Sequence, residues 1–214
     1  MSQLSEKVVQ TICQSGRVFE VGGAVRDRLL GLDISSKDHD YLVTGIPYDE
    51  LTRLLKPHGH VELVGRSFGV IKFTQFRDGQ PHTFDIALPR KEHSTGVGHK
   101  EFEVNFDPNL SVEDDLTRRD FTINSIAMAL DDQSIIDPLN GRKDLADRIL
   151  RMTSERSFEE DPLRMLRAIQ FAARFQFEIE PQTFAAMTKH AALIATVSAE
   201  RIADEMNKLL LLAK

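Results

Sequence analysis

Hydrophobic and polar positions follow two regimes along the 214-residue chain. Short apolar runs, glycines and turn signals crowd the first two thirds, and after about residue 145 the pattern turns helical. Ser5 to Gln14 predicts a short helix closed by Gly16 as a C′ glycine. Arg17 to Val21 reads as a strand, followed at once by Gly22-Gly23 and the helical stretch Ala24 to Gly31. Asp40 to Thr44 predicts a second strand, Tyr48 to Leu55 a helix with Pro47 before it, and His60 to Val64 a third strand. Val70 to Gln75 and His82 to Leu88 flank Asp78-Gly79 and predict a hairpin. Pro89 to Val112 shows no clean period and reads as a long loop with some extended structure. Ser157, with Glu160 three positions on, matches a capping box that opens a helix through Phe175. Pro181 starts the next helix and Ser198 caps a last one. That helix ends in Leu209 to Leu212, which cannot share one buried stripe. Either a partner covers them or the natural chain continues beyond Lys214, and continuation is the expectation.

Composition narrows the class. Hydrophobic residues at 41% and charged residues at 28% exclude wholesale disorder. Lys and Arg number 27 against 33 Asp and Glu, a net charge of −6 that excludes the overall positive field of a histone-like binder. Cys13, the single cysteine, rules out an internal disulfide framework and a Cys-based zinc cage. No apolar run reaches the roughly 18 residues of a membrane span, and the N-terminus lacks a signal-peptide core. A cytoplasmic protein of mixed helix and strand is expected.

Four constellations carry candidate chemistry. Asp38-His39-Asp40 enters a strand, where a period of two puts both carboxylates on one face and His39 on the other. Adjacent carboxylates need a cation, and hard oxygen donors suit Mg²⁺ completed by substrate phosphates; a solvated turn is the bland alternative. Asp85, in an alternating strand, is either a third acid for that site or an ordinary exposed position. Gly22-Gly23 lies between strand and helix, where backbone N–H groups and close approach suit a phosphate, with Arg26 near enough to add charge. Glu113 to Asn124 packs acids, bases and an amide together: Arg119 suits a triphosphate, and Asp120 or Asn124 a ribose hydroxyl or a neighbouring backbone group, unless the segment is merely a charged helix entry. Steps of three place Asp161, Arg164, Arg167 and Gln170 along one helix face, with Leu163, Leu166 and Ile169 toward the core. An aspartate accepting from an exocyclic amine and an arginine donating to the adjacent ring nitrogen would select cytosine and adenine together; a surface Asp161–Arg164 pair is the alternative.

Six stretches in order resemble the class II tRNA nucleotidyltransferases (CCA-adding enzymes) and bacterial poly(A) polymerases: Val21 to Gly31, Lys37 to Gly45, Asp115 to Met128, Ile136 to Leu145, Glu160 to Phe175 and Ser198 to Leu210. The resemblance implies an α+β fold: a polymerase-β-like nucleotidyltransferase head of mixed sheet and flanking helices over residues 1–145, then an all-helical neck over 146–214. It implies that Asp38 and Asp40 hold Mg²⁺, that Gly22, Gly23, Arg26 and Arg119 hold the triphosphate, and that Asp161 and Arg164 form the protein template for the incoming base. Arg167 corresponds to a further nucleotide contact, Gln170 departs from a frequent arginine, and Arg201 with Glu205 matches a motif that braces the neck. The implied reaction adds C and A from CTP and ATP to the 3′ end of tRNA, releasing pyrophosphate. Arg90 to Val104 looks more like CCA-adding enzymes, whereas Ser125 leans toward poly(A) polymerases. A specialised CC- or A-adding enzyme and a non-catalytic nucleotide- or RNA-binding fragment are the remaining alternatives.

Overall fold

Helix α1 (Glu6–Cys13) buries Val8 and Ile12, one turn apart, in a cluster with Val18, Tyr41 and Val43. The next element is β1 (Arg17–Val21), reached through Gly16. That glycine does not adopt the positive φ of a C′ cap. Its lack of a side chain matters because a Cβ there would lie 2.2 Å from the Thr44 carbonyl oxygen. Described here are residues 4–34, 38–65, 69–94 and 102–212 of a computed structural model. They divide into two compact units: Met1–Asp115 with Ala127–Ile136, and Leu116–Ile126 with Asp137–Lys214.

The first unit continues with α2 (Gly23–Leu29), β2 (Asp40–Thr44), α3 (Tyr48–Leu55) and β3 (His60–Gly65). Then come β4 (Val70–Arg77) and β5 (Gln80–Ala87), joined by Asp78 and Gly79, both at positive φ, as a two-residue hairpin turn requires. The segment from Pro89 is more ordered than its irregular pattern suggests: β6 (Arg90–Ser94) pairs antiparallel with β7 (Phe102–Phe106) as a separate ribbon. Helix α4 (Val112–Leu116) and strands β8 (Ala127–Ala129) and β9 (Ile135–Ile136) complete the list. The main sheet has seven strands in the order β3-β4-β5-β2-β1-β8-β9. Within this sheet, among the described residues, β2 and β5 run parallel and the other neighbouring pairs are antiparallel. This is the mixed sheet with flanking helices that the resemblance implies. Val18, Tyr41, Val43, Ile71, Phe73, Phe84 and Ile86 alternate inward along the strands, and Leu51 and Leu55 of α3 join their cluster.

The second unit holds α5 (Gly141–Asp147), β10 (Ile149–Leu150), α6 (Ser157–Glu160), α7 (Leu163–Phe175), β11 (Glu178–Ile179), α8 (Pro181–His190) and α9 (Ala199–Leu212). It is helical apart from β10 and β11, a two-residue parallel pair the sequence pattern does not announce. Asp137 accepts from the Gly141 and Arg142 N–H groups at the start of α5, and Asp144 accepts from Thr122 Oγ1 at 2.7 Å. Gly141 packs so tightly that a Cβ would meet the Thr122 carbonyl oxygen at 2.1 Å. At the end of α9, Leu210 and Leu211 are 74% and 81% exposed. Among the described residues no helix is long and apolar enough to cross a membrane.

The long helix expected from Ser157 to Phe175 is two helices. A residue preceding proline is driven out of the α region, and Asp161, before Pro162, sits extended at φ −144° and ψ 99°. The capping box does not form either. Ser157 Oγ instead receives a hydrogen bond from Arg164 Nη1 at 3.0 Å.

Candidate active site

In the first unit, exposure alternates at the entrance to β2: Asp38 is exposed, His39 buried, Asp40 exposed. Both acids therefore share the solvent side, as a period of two requires. Asp40 lies opposite Val21 of β1, so the Gly22 turn begins beside it. On its other side Asp40 is in parallel register with Asp85, also exposed, which in turn faces Lys72. Among the described residues, however, no three His, Cys, Asp or Glu side chains are grouped to hold a metal. Asp85 is thus not gathered with Asp38 and Asp40 into a three-acid cage. Two exposed carboxylates fit a small hard cation that draws its other oxygens from phosphate and water, which is how Mg²⁺ is commonly held.

Gly22 sits at φ 75° and ψ −137°, a conformation essentially closed to other residues, and it opens α2. The first N–H groups of a helix have no partner within it and can face an anion. Arg26 is buried, and its Nε donates to Asp27 Oδ1 at 2.7 Å. Its Nη2 would lie 3.5 Å from a Cβ at Gly23, so the guanidinium is folded back toward the glycine turn.

Sequence reasoning overlooked Glu20. It occupies the middle of the apolar strand β1 and is wholly buried. One carboxylate oxygen bonds His39 Nδ1, and the other accepts from Arg28 Nη1 at 2.5 Å. Burial pushes the Glu20 carboxyl up, but the His39 hydrogen bond and the Arg28 charge outweigh it and hold the pKa below its ordinary value. The only sequence signal was a charged residue at a strand position flanked by Phe19 and Val21.

The remaining candidates lie in the second unit. Asp120 is buried, and both its oxygens are used. Oδ1 accepts from Phe121 N and Asn124 Nδ2, each at 2.9 Å. Oδ2 accepts from Arg167 Nε at 2.9 Å and Nη2 at 2.7 Å. Of the roles open to Asp120, the neighbouring-backbone one is therefore formed. Burial raises its pKa, yet the Arg167 charge and these hydrogen bonds pull it below the ordinary carboxylate value. Arg164 Nη2 donates to the Arg118 carbonyl at 3.0 Å, so α7 grips the Arg118–Asp120 segment by two arginines. Arg119 between them is half-buried.

The pair Asp161–Arg164 is not what forms. Asp161 Oδ2 accepts instead from Arg201 Nη2 of α9 at 2.9 Å, and its Oδ1 from Leu163 N at 3.2 Å. The helix face also differs from the expected one. Ile169 is 43% exposed, whereas Gln170 is buried two turns after Leu163. With Asp161 outside α7, the buried stripe runs through Leu163, Met165, Ala168, Gln170 and Phe171. Gln170 thus lies inside the fold rather than on the polar face.

Residues 18–151 match the family described as "Poly A polymerase head domain", and residues 176–214 one described as "Probable RNA and SrmB- binding site of polymerase A". The chain is 43% identical over 189 residues to the multifunctional CCA protein of Nitrosococcus oceani, covering 88% of this chain and 42% of that protein. It is 44% identical over 172 residues to the protein of that name from Aromatoleum aromaticum, covering 80% of this chain and 39% of the relative. A crystal structure of the Bacillus stearothermophilus CCA-adding enzyme in complex with CTP aligns over 95% of this chain and 47% of its own, at 34% identity and a TM-score of 0.79. The Thermotoga maritima CCA-adding enzyme complexed with tRNA aligns over 97% of this chain and 46% of its own, at 27% identity and a TM-score of 0.76. The chain thus spans less than half the length of the curated relatives it matches. By the head-domain match and these identities, the chain belongs to the poly(A) polymerase head-domain family, that of the class II tRNA nucleotidyltransferases.

Proposed function

We propose that the chain performs template-independent nucleotidyl transfer, adding C, C and A to the 3′ end of tRNA from CTP and ATP in the cytoplasm and releasing pyrophosphate. The observation that carries this reading is the exposed acid pair at the head of β2 with the Gly22 turn beginning beside it. A metal seat and a phosphate cradle on adjacent strands suit a nucleoside triphosphate. Relatives named as multifunctional CCA proteins support the same substrate.

Each group has a place in this reading. Asp38 and Asp40 hold the cation. Mg²⁺ bound there supplies Lewis-acid stabilisation of charge on the attacking and leaving oxygens. The Gly22-Gly23 backbone and the Arg26 guanidinium hold the triphosphate, and Arg119 adds a further cation where charge builds. In the neck, residues 146–214, Asp161 accepts from the exocyclic amine of cytosine or adenine and Arg164 donates to the ring nitrogen beside it. Arg167 is a further nucleotide contact, with Asp120 fixing its fork. Guanine and uracil carry a carbonyl where the amine is needed, so this pair rejects them.

Poly(A) addition is the second reading, favoured by Ser125. That residue is wholly buried, and its hydroxyl donates to the Phe121 carbonyl at 2.9 Å, which gives it a structural use in either enzyme. The test supplies Mg²⁺ and each nucleotide in turn to tRNAs ending before CCA and after CC, and to unrelated RNA. Ordered C, C, A addition that then stops is the expected result. Long A tails on unrelated RNA would favour the second reading, and incorporation of none would reject both.

A further inference from the structure

A buried carboxylate in the middle of an apolar strand needs a reason. Taking such a group out of water is unfavourable, and an apolar residue of similar size is often as stable or more so. Glu20 is 0% exposed in β1, and each of its oxygens is committed: one to His39, the other to Arg28 of α2. Arg28 Nη1 also lies 3.3 Å from Met128 Sδ of β8. His39 is 4% exposed, and its ring stacks on Tyr41, centroids 6.5 Å apart and planes at 13°. Tyr41 itself lies opposite Glu20 across the β1–β2 ladder. What this arrangement supplies, and an apolar one would not, is direction. An ionised carboxylate only accepts, so His39 Nδ1 carries the proton, and the hydrogen bond sets both the tautomer and the ring's orientation.

His39 is the residue between the two acids, with its ring on the side away from them. It is therefore no cation ligand; it anchors the peptide that bears both ligands. We propose that Glu20, steadied by Arg28, and His39 are positioning residues for the acid pair: they pin the Asp38–Asp40 backbone so that both carboxylates stay on the solvent side where a divalent cation is taken. The inference rests on the reading of Asp38 and Asp40 as cation holders. Groups that orient metal ligands from behind typically affect affinity ten- to a hundredfold when removed.

Mn²⁺ is the probe, titrated into the 214-residue chain with CTP present and read by water-proton relaxation. CTP affinity in EDTA and the melting temperature are measured alongside. His39→Leu is expected to weaken Mn²⁺ binding about tenfold with CTP affinity in EDTA unchanged. His39→Asn, whose amide N–H can take the place of Nδ1–H, is expected to restore most of the loss, which a merely space-filling role would not do. Glu20→Gln keeps the shape but must turn an amide donor toward Arg28 or His39, and is expected to weaken Mn²⁺ severalfold; it carries the test should His39→Leu not fold. Wild-type Mn²⁺ affinity in a folded His39→Leu or Glu20→Gln chain overturns the proposal, as does an Asn variant no better than Leu. Asp38→Ala separates the two ideas. If it too binds Mn²⁺ like the wild type, the acid-pair reading fails first; if it loses Mn²⁺ while the Glu20 and His39 variants do not, only the positioning role fails.

Discussion

Asp120 shows how a residue with functional looks can be used to hold other residues in place. Its carboxylate takes four hydrogen bonds, two of them from Arg167. Its folded pKa is depressed, so its stabilising effect is present above the ordinary carboxylate value of about 3.9 and is lost as pH falls through the lower folded value. Asp120→Asn is expected to cost on the order of 3 kcal/mol at neutral pH, because a partly buried Arg167 loses its counter-charge. Below about pH 4 the gap to the wild type should narrow, since a protonated aspartate resembles asparagine. Thermal melting of both chains from pH 7 to pH 3 checks this; parallel curves would remove Asp120 from the account. At this scale the sequence was readable where a residue's exposure follows from its neighbours, as for Asp38, His39 and Asp40. It was unreadable where the partner is distant in the chain. Nothing local told that Asp161 would pair with Arg201, forty positions on, or that Glu20 would meet His39.

Elements bounded by strong local chemistry were legible almost to the residue. β1, β2 and α3 begin and end where the pattern puts them, and Asp78-Gly79 makes the hairpin its residues demand. The misses have local causes too. β6, Arg90–Ser94, is polar throughout and has no alternation to mark it. Phe102, Val104 and Phe106 of β7 do alternate with polar residues, but over only five positions within a segment rich in glycine and charge. β8, at Ala127–Ala129, is too short to show a pattern before its pairing with β1. Pro162 falls inside the helix that the pattern predicts from Ser157 to Phe175, although the geometry before a proline argues against it. It keeps Asp161 out of the helix, in the extended conformation from which the proposed base contact would be made. Pro162→Ala is expected to let α6 and α7 join, raising the melting temperature or leaving it level while loosening the discrimination of C and A from U and G. Misincorporation ratios measured with equimolar nucleotides report on this; unchanged selectivity in a chain with increased helix content would mean that Asp161 need not be extended to act.

For the whole molecule, the division of labour follows from where each kind of group sits. The acid pair and the glycine turn belong to the first unit, and the arginine-gripped Asp120 segment and the extended Asp161 to the second. The overall charge of −6 offers no general attraction for RNA phosphates, so the proposed function rests nucleotide selection on these placed groups rather than on a bulk field. Class and motifs were legible because each rests on consecutive residues, whereas the make-up of the units was not: residues 116–126 join the C-terminal helices, a contact between distant stretches that no local pattern encodes. The central claim is that Asp38 and Asp40 together seat the cation for transfer. It is tested most directly by single-turnover CMP incorporation into tRNA lacking CCA, comparing the wild type with Asp38→Ala and Asp40→Ala at saturating Mg²⁺ and CTP. The account predicts that either change abolishes incorporation while CTP binding persists in part; undiminished turnover in either variant would contradict it.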